Sequence, residues 1–181
     1  MTSPAQERND VLAELGDAVA LLVSSMDARL VPVNGGNIGY AIRGARDWTA
    51  VAAVSGGLVA DGKGVLCAGP VAFGVDEWFS RTILTAMKFD PEVRSSAVIR
   101  YTGTAFRILS DMYAESAETN PAKHPGGTST MDWAIASCCS DGVPPVIAIR
   151  ANDPEQQVIV IFGDEPSYIA SNIIILSNRI E

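Results

Sequence analysis

DEWFSRTILTAMKFDPEVRSSAVIRYTGTAFRILSDMY, residues 76–113, reads as helix, strand, helix. The first helix runs from Asp76 to Phe89, capped by Asp76 or a residue just before it. Asp90-Pro91 stops it, because the residue before a proline is pushed out of helical geometry. Ala97-Val98-Ile99-Arg100-Tyr101 is apolar and β-branched and reads as a strand, and Thr104 to Tyr113 as a second helix. The composition suits the same layered α/β packing. Hydrophobic residues make up 48% and aromatics 7%, so the core is built mainly from Ala, Val, Ile and Leu. At 181 residues, one domain spanning 1–181 is the economical expectation.

On the N-terminal side, Val11, Leu12, Leu15, Val19, Leu22, Val23 and Met26 recur at helical spacing and predict an amphipathic helix from Glu7 to about Ala28. Asn34-Gly35-Gly36-Asn37 breaks the chain, and Ile38 to Ile42 is a short strand. Val51–Ser55, Leu58–Ala60 and Val65–Cys67, separated by Gly56-Gly57 and by Asp61 to Gly64, predict an antiparallel meander. On the C-terminal side, Glu115 to Gly127 is a polar loop, and Thr128-Ser129 caps a helix from Thr130 to Cys139. Two β-branched strands follow, Pro145–Ile149 and Gln157–Phe162, then a last helix from Pro166 to about Ser177.

Net charge is −8, with a pI near 4.6, which argues against a nucleic-acid surface. No apolar run reaches the roughly 20 residues that cross a bilayer, and the N-terminus lacks a signal-peptide plan, so a cytoplasmic location is expected. Cys67, Cys138 and Cys139 give no disulfide framework and read as small buried thiols. With one histidine, His124, and no Cys-x-x-Cys, neither a zinc site nor a His-rich catalytic metal site can be assembled. Basic residues gather at Arg43 with Arg46, and at Lys88, Arg94, Arg100 and Arg107. In an acidic chain these are either pocket cations or solvated surface residues.

Three loops have the Gly-, Asn- or hydroxyl-rich character that meets phosphates: Asn34–Asn37, Cys67–Gly74 and Pro125–Thr130. The third joins a helix N-terminus to the hydroxyls of Thr128, Ser129 and Thr130, with Lys123 and His124 nearby. It is either an anion site or an ordinary capped helix. No segment fits a Walker loop or a Rossmann fingerprint.

In order and spacing, a series of words resembles the ThiN family of thiamine-phosphate synthases: Asn37-Ile38-Gly39-Tyr40-Ala41, Gly44-Ala45, Val51–Val54, Gly69-Pro70-Val71-Ala72-Phe73-Gly74, Ile83–Pro91, Ile99-Arg100-Tyr101, Ser129-Thr130-Met131-Asp132-Trp133 and Val160–Gly163. The resemblance covers nearly the whole chain. It implies a three-layer α/β/α domain with a mixed, mostly antiparallel sheet, similar to the class II (AraD-type) aldolase fold. Aldolase chemistry does not come with it, because those enzymes hold a metal through several histidines.

What the resemblance implies is condensation of hydroxymethylpyrimidine diphosphate with hydroxyethylthiazole phosphate, giving thiamine phosphate and diphosphate. Mg²⁺ is expected on the diphosphate, and a homodimer is expected. Phosphorylated thiamine precursors are the expected partners, with neither nucleic acid nor membrane. Arg100 and Lys88 are expected to meet diphosphate charge and Asn37 to touch a substrate. Gly69, Gly74, Ser129 and Thr130 are expected to donate hydrogen bonds, and His124 either binds a phosphate, shuttles a proton or is solvated. Met87, Met131 and Trp133 read as core residues rather than as surfaces that stack on a ring.

One departure stands out. The family has an Arg followed by a glycine-rich turn carrying a Lys. Here Arg150 is kept, but Ala151-Asn152-Asp153-Pro154-Glu155 follows, without a lysine and with two carboxylates. That change leaves room for a domain that binds thiamine phosphate without making it. A sensor of the regulator type would need a DNA-binding helix pair, and no such pair is expected before Glu7.

Overall fold

The structure, a computed structural model, describes residues 2–121 and 130–180, and of these the side chains of 2–121 and 132–180. Ser3 opens the first helix, α1 (Pro4–Ser25), by accepting a hydrogen bond from the Gln6 N–H (3.1 Å), with Pro4 in the first turn. The helix begins earlier and stops sooner than its apolar stripe alone suggests. Asp27 leaves helical geometry and caps a separate 3-10 turn, Ala28–Leu30, through the Arg29 N–H.

Seven strands form the main sheet: β1 (Asn37–Ala41), β2 (Val51–Val54), β5 (Val71–Phe73), β6 (Ser95–Arg100), β7 (Ala117–Thr119), β8 (Val146–Ile149) and β9 (Val158–Gly163). Their order is β5-β2-β1-β6-β9-β8-β7, and every neighbouring pair is antiparallel except β7 with β8. The remaining helices are α2 (Glu77–Phe89), α3 (Gly103–Tyr113), α4 (Thr130–Ser137) and α5 (Pro166–Arg179).

Alternation along each strand sorts the side chains into two cores. Ile38, Tyr40, Ala97, Ile99, Ile159 and Ile161 pack with residues of α1, α3 and α5. Ala41, Ala53, Val98, Ile149, Val160 and Phe162 pack with Phe79, Ile83 and Ala86 of α2 and Ala134 and Ile135 of α4. Covered on both faces, the strands of the middle of the sheet have no polar side to show, and β1 and β2 are buried along their whole length. This is the expected α/β/α layering.

The expected meander does not form. Two successive left-handed glycines, Gly56 (φ +75°) and Gly57 (φ +82°), turn the chain out of the sheet. A Cβ on Gly57 would lie 2.5 Å from the Gly36 carbonyl oxygen, so this crossing needs glycine. Beyond it, β3 (Leu58–Ala60) and β4 (Val65–Cys67) pair only with each other as a small ribbon. The place beside β2 is taken by β5, from a stretch that reads as a loop. A second unexpected strand, β7, lies inside the polar segment after α3. Among the thiols only Cys139 is buried, while Cys67 and Cys138 are half-buried. Burial raises all three above the ordinary thiol value, Cys139 to about 11, so none is a ready thiolate.

Candidate functional site

A cleft of about 920 Å³ opens at one end of the main sheet, on its α2 face. Its floor is made where strands stop. Asn37 begins β1 opposite Val98 of β6, and Val158 begins β9 opposite Ile149 of β8. One wall is the loop Asn34–Gly36 with Gly56 and Gly57. A second is the N-terminus of α2, with Asp76, Trp78 and Phe79. A third is the turn between β8 and β9, contributing Ala151, Asn152, Asp153, Glu155 and Gln156.

Asn37 holds these pieces together. Its Nδ2 donates to the Val54 carbonyl oxygen (3.1 Å) and to Asp76 Oδ2 (2.9 Å). Its Oδ1 accepts from the N–H groups of Val54 (3.0 Å) and Ile38 (2.9 Å). At 3% exposure the amide has all four of its bonding positions engaged. It lines the cleft, and what its contacts do is fix the Asp76 carboxylate. Asp76 Oδ1 in turn accepts from the Phe79 N–H (3.0 Å), the bond that caps α2.

The other expected residues divide sharply. Arg100 follows Val98 on the same face of β6 and stands opposite Val158, so it rises beside the cleft. It is exposed, and its guanidinium makes no hydrogen bond or ion pair among the described residues. Arg150 points to the other face. It donates to Glu118 Oε1 (2.6 Å) and to the Tyr101 hydroxyl (2.9 Å), with its guanidinium carbon 4.4 Å from the Tyr101 ring centroid. That side chain braces the end of β8 against β7 and against Tyr101 at the end of β6, on the face away from the cleft.

Lys88 sits in the last turn of α2, whereas the cleft takes the first. Eleven residues at about 1.5 Å each separate it from Glu77, the first helical residue. Gly69 backs onto Ser55, behind the Gly56-Gly57 rim. Gly74 lies at the far end of β5, where its N–H donates to the Val51 carbonyl oxygen (3.2 Å). With φ +67° it reverses the chain onto the face of the sheet, and so delivers Asp76 to Asn37. The Gly69–Gly74 stretch therefore shapes the site from behind, and neither glycine lines it.

Ser129, His124 and Lys123 lie outside the described residues. Thr130 begins α4 and its side chain is likewise outside them, while Pro121 lines the cleft. Met87 is buried as expected, but Trp133 is 47% exposed rather than a core residue. Two wall elements escape sequence reasoning. One is Asp76, which reads simply as a helix cap. The other is Trp78, 59% exposed on the cleft wall and one residue ahead of the buried stripe Phe79, Ile83 and Ala86. Its offset from that stripe is the signal that could have found it.

Residues 14–175 match the family described as thiamine-phosphate synthase ThiN. A bifunctional thiamine biosynthesis protein, ThiDN, from Methanocaldococcus jannaschii is 29% identical over 169 residues. The match takes in 92% of this chain but 40% of that protein. The crystal structure of the C-terminal domain of a phosphomethylpyrimidine kinase superposes with a TM-score of 0.86 at 27% identity, covering 94% of this chain and 100% of that one. A putative aldolase/epimerase/decarboxylase from Klebsiella pneumoniae shares the fold at 11% identity, with a TM-score of 0.54 over 99% of this chain and 90% of its own.

Proposed function

The chain belongs to the thiamine-phosphate synthase ThiN family, and on that premise we propose that its cleft joins hydroxymethylpyrimidine diphosphate to hydroxyethylthiazole phosphate. The thiazole nitrogen forms a bond to the pyrimidine methylene carbon. The bond from that carbon to the diphosphate oxygen breaks, and its electron pair leaves with diphosphate. The aminopyrimidine ring stabilises positive charge on the methylene, so the leaving group departs early and the protein's task is placement and charge stabilisation.

The observation that carries this reading is Arg100, a guanidinium with no partner among the described residues, rising beside a cleft large enough for two small heterocycles. A guanidinium contacts two diphosphate oxygens at once, and its attraction grows as charge gathers on the leaving group. Magnesium belongs to the same proposal. It takes oxygen donors and is commonly held by one or two carboxylates plus substrate phosphate oxygens. Asp153 and Glu155, in the turn that leads into β9, are donors of the right kind. When bound, the ion would neutralise the departing diphosphate. A cytoplasmic location and a homodimer complete the proposal. No helix among the described residues is long and apolar enough to cross a membrane.

A second reading, binding of thiamine phosphate without synthesis, is favoured by one feature. The turn that carries a lysine in the family lines this cleft with Asp153 and Glu155. The purified protein, supplied with both precursors and Mg²⁺, separates the two. Thiamine phosphate formed at an enzymatic rate supports the synthase. No product, together with a melting temperature raised by thiamine phosphate, replaces it with the binding domain.

A further inference from the structure

We infer that Trp78 is the surface on which the cleft stacks the aromatic ring of its ligand, with Asp76 beside it to accept from a ring amine or balance a ring cation. The inference rests on thiamine phosphate being a ligand of the cleft, as both readings above require. An indole that is 59% exposed on a concave wall leaves a large apolar face uncovered, and a flat heterocycle covers such a face well.

The charges around it choose the kind of ring. Asp76, Asp153 and Glu155 line the cleft, and no lysine or arginine does so among the described residues. A helix N-terminus ordinarily attracts anions, but the start of α2 is already capped by the Asp76 carboxylate. This end of the cleft therefore disfavours a phosphate and favours an amine-bearing or positively charged ring, which also gains from the indole face. Asp76 needs no ligand to hold its position, since Asn37 and the Phe79 N–H fix it. The ligand's orientation follows: its ring lies toward the start of α2, and its phosphate toward Arg100 at the end of β6.

The test is titration of the full chain with thiamine phosphate, read by calorimetry and by indole fluorescence. Trp78→Ala is expected to weaken binding by roughly 5–150-fold, the range for losing one stacked base. Trp78→Phe, which keeps an aromatic face, should lose less. The unliganded melting temperature of both should stay near that of wild type, as the side chain is largely exposed. With Trp48→Phe and Trp133→Phe in place, Trp78 is the sole indole, and thiamine phosphate and unphosphorylated thiamine should both quench it, while inorganic phosphate should not. If thiamine phosphate raises the wild-type melting temperature but Trp78→Ala binds it equally well, the stacking role is wrong and the functional reading stands. Quenching by phosphate and not by thiamine overturns the orientation. If wild type neither binds nor is stabilised, the functional reading falls and this inference with it.

Discussion

Two arginines bracket strand β6. At its start Arg94 is 7% exposed. Its Nε donates to the Ala41 carbonyl oxygen (3.1 Å), its guanidinium carbon lies 4.7 Å from the Tyr40 ring centroid, and Glu7 of α1 is 3.9 Å away. At the strand's other end Arg100 is exposed, and its guanidinium bonds to nothing among the described residues. The difference comes from what closes each end of the sheet. Helix α1 delivers Glu7 to the Arg94 end, so the charge there is absorbed into the fabric. At the Arg100 end the strands simply stop and leave a cleft. The same residue type, six positions apart, is structural where the sheet is shut and available where it is open.

The largest effect expected from this contrast is on activity. With the proposed synthase activity as the readout, Arg100→Ala should lower kcat/KM for the pyrimidine diphosphate by about 10²–10³, by analogy with removing one oxyanion-stabilising donor, and leave the melting temperature unchanged. A variant with near-wild-type kcat/KM would reduce Arg100 to a surface charge. The reverse pattern is expected of Arg94→Ala. Losing a buried, charged hydrogen-bond donor costs about 2–3 kcal/mol, which for a chain of this size lowers the melting temperature by roughly 5–10 °C. The catalytic constants of whatever remains folded should be intact. An unchanged melting temperature would break the comparison.

Tyr40 sharpens it. Burial holds its phenol above the ordinary tyrosine value, and the Arg94 charge pulls the other way. A raised folded value means this group's contribution to stability is complete below pH 10 and is lost as pH rises through the folded value. In Arg94→Ala the phenolate absorbance attributable to Tyr40 should therefore appear at still higher pH, as long as the variant stays folded. A shift to lower pH would show that the guanidinium does not act on the ring. The smallest effect belongs to Lys88→Ala, at the far end of α2 from the cleft. Thiamine phosphate affinity should change by less than about twofold, within the range of an exposed surface charge. A larger loss would mean that the site extends beyond the cleft of one chain.

Elements with strong local signals were legible before folding. Asp76 and Pro91 mark both ends of α2, and the apolar runs of β6, β8 and β9 announce buried strands. The strands that escaped, β5 and β7, are three residues each and are strands only because a neighbour offers them an edge. The meander failed for a related reason. Glycine pairs mark a turn in sequence, but only the close approach of Gly57 to Gly36 shows which way the chain leaves. Within the site, residue types were readable and directions were not. Arg100 and Arg150 look alike in sequence, and they part because they emerge on opposite faces. Asn37 reads as a ligand contact because it is an amide at a strand end. Its partners lie 17 and 39 residues away, beyond any local pattern.

Those separations bear on how the protein folds. One side chain, Asn37, joins β1, β2 and the start of α2, so no single segment of the chain contains the site in miniature. Closing such long loops precedes any gain from the contacts they make. The cleft should thus be among the last features acquired and should vanish whenever the centre of the sheet opens. A ligand bound there would slow hydrogen exchange at the Ile38 and Val54 amides, both of which donate to Asn37, and would so report on the cooperativity of the whole sheet.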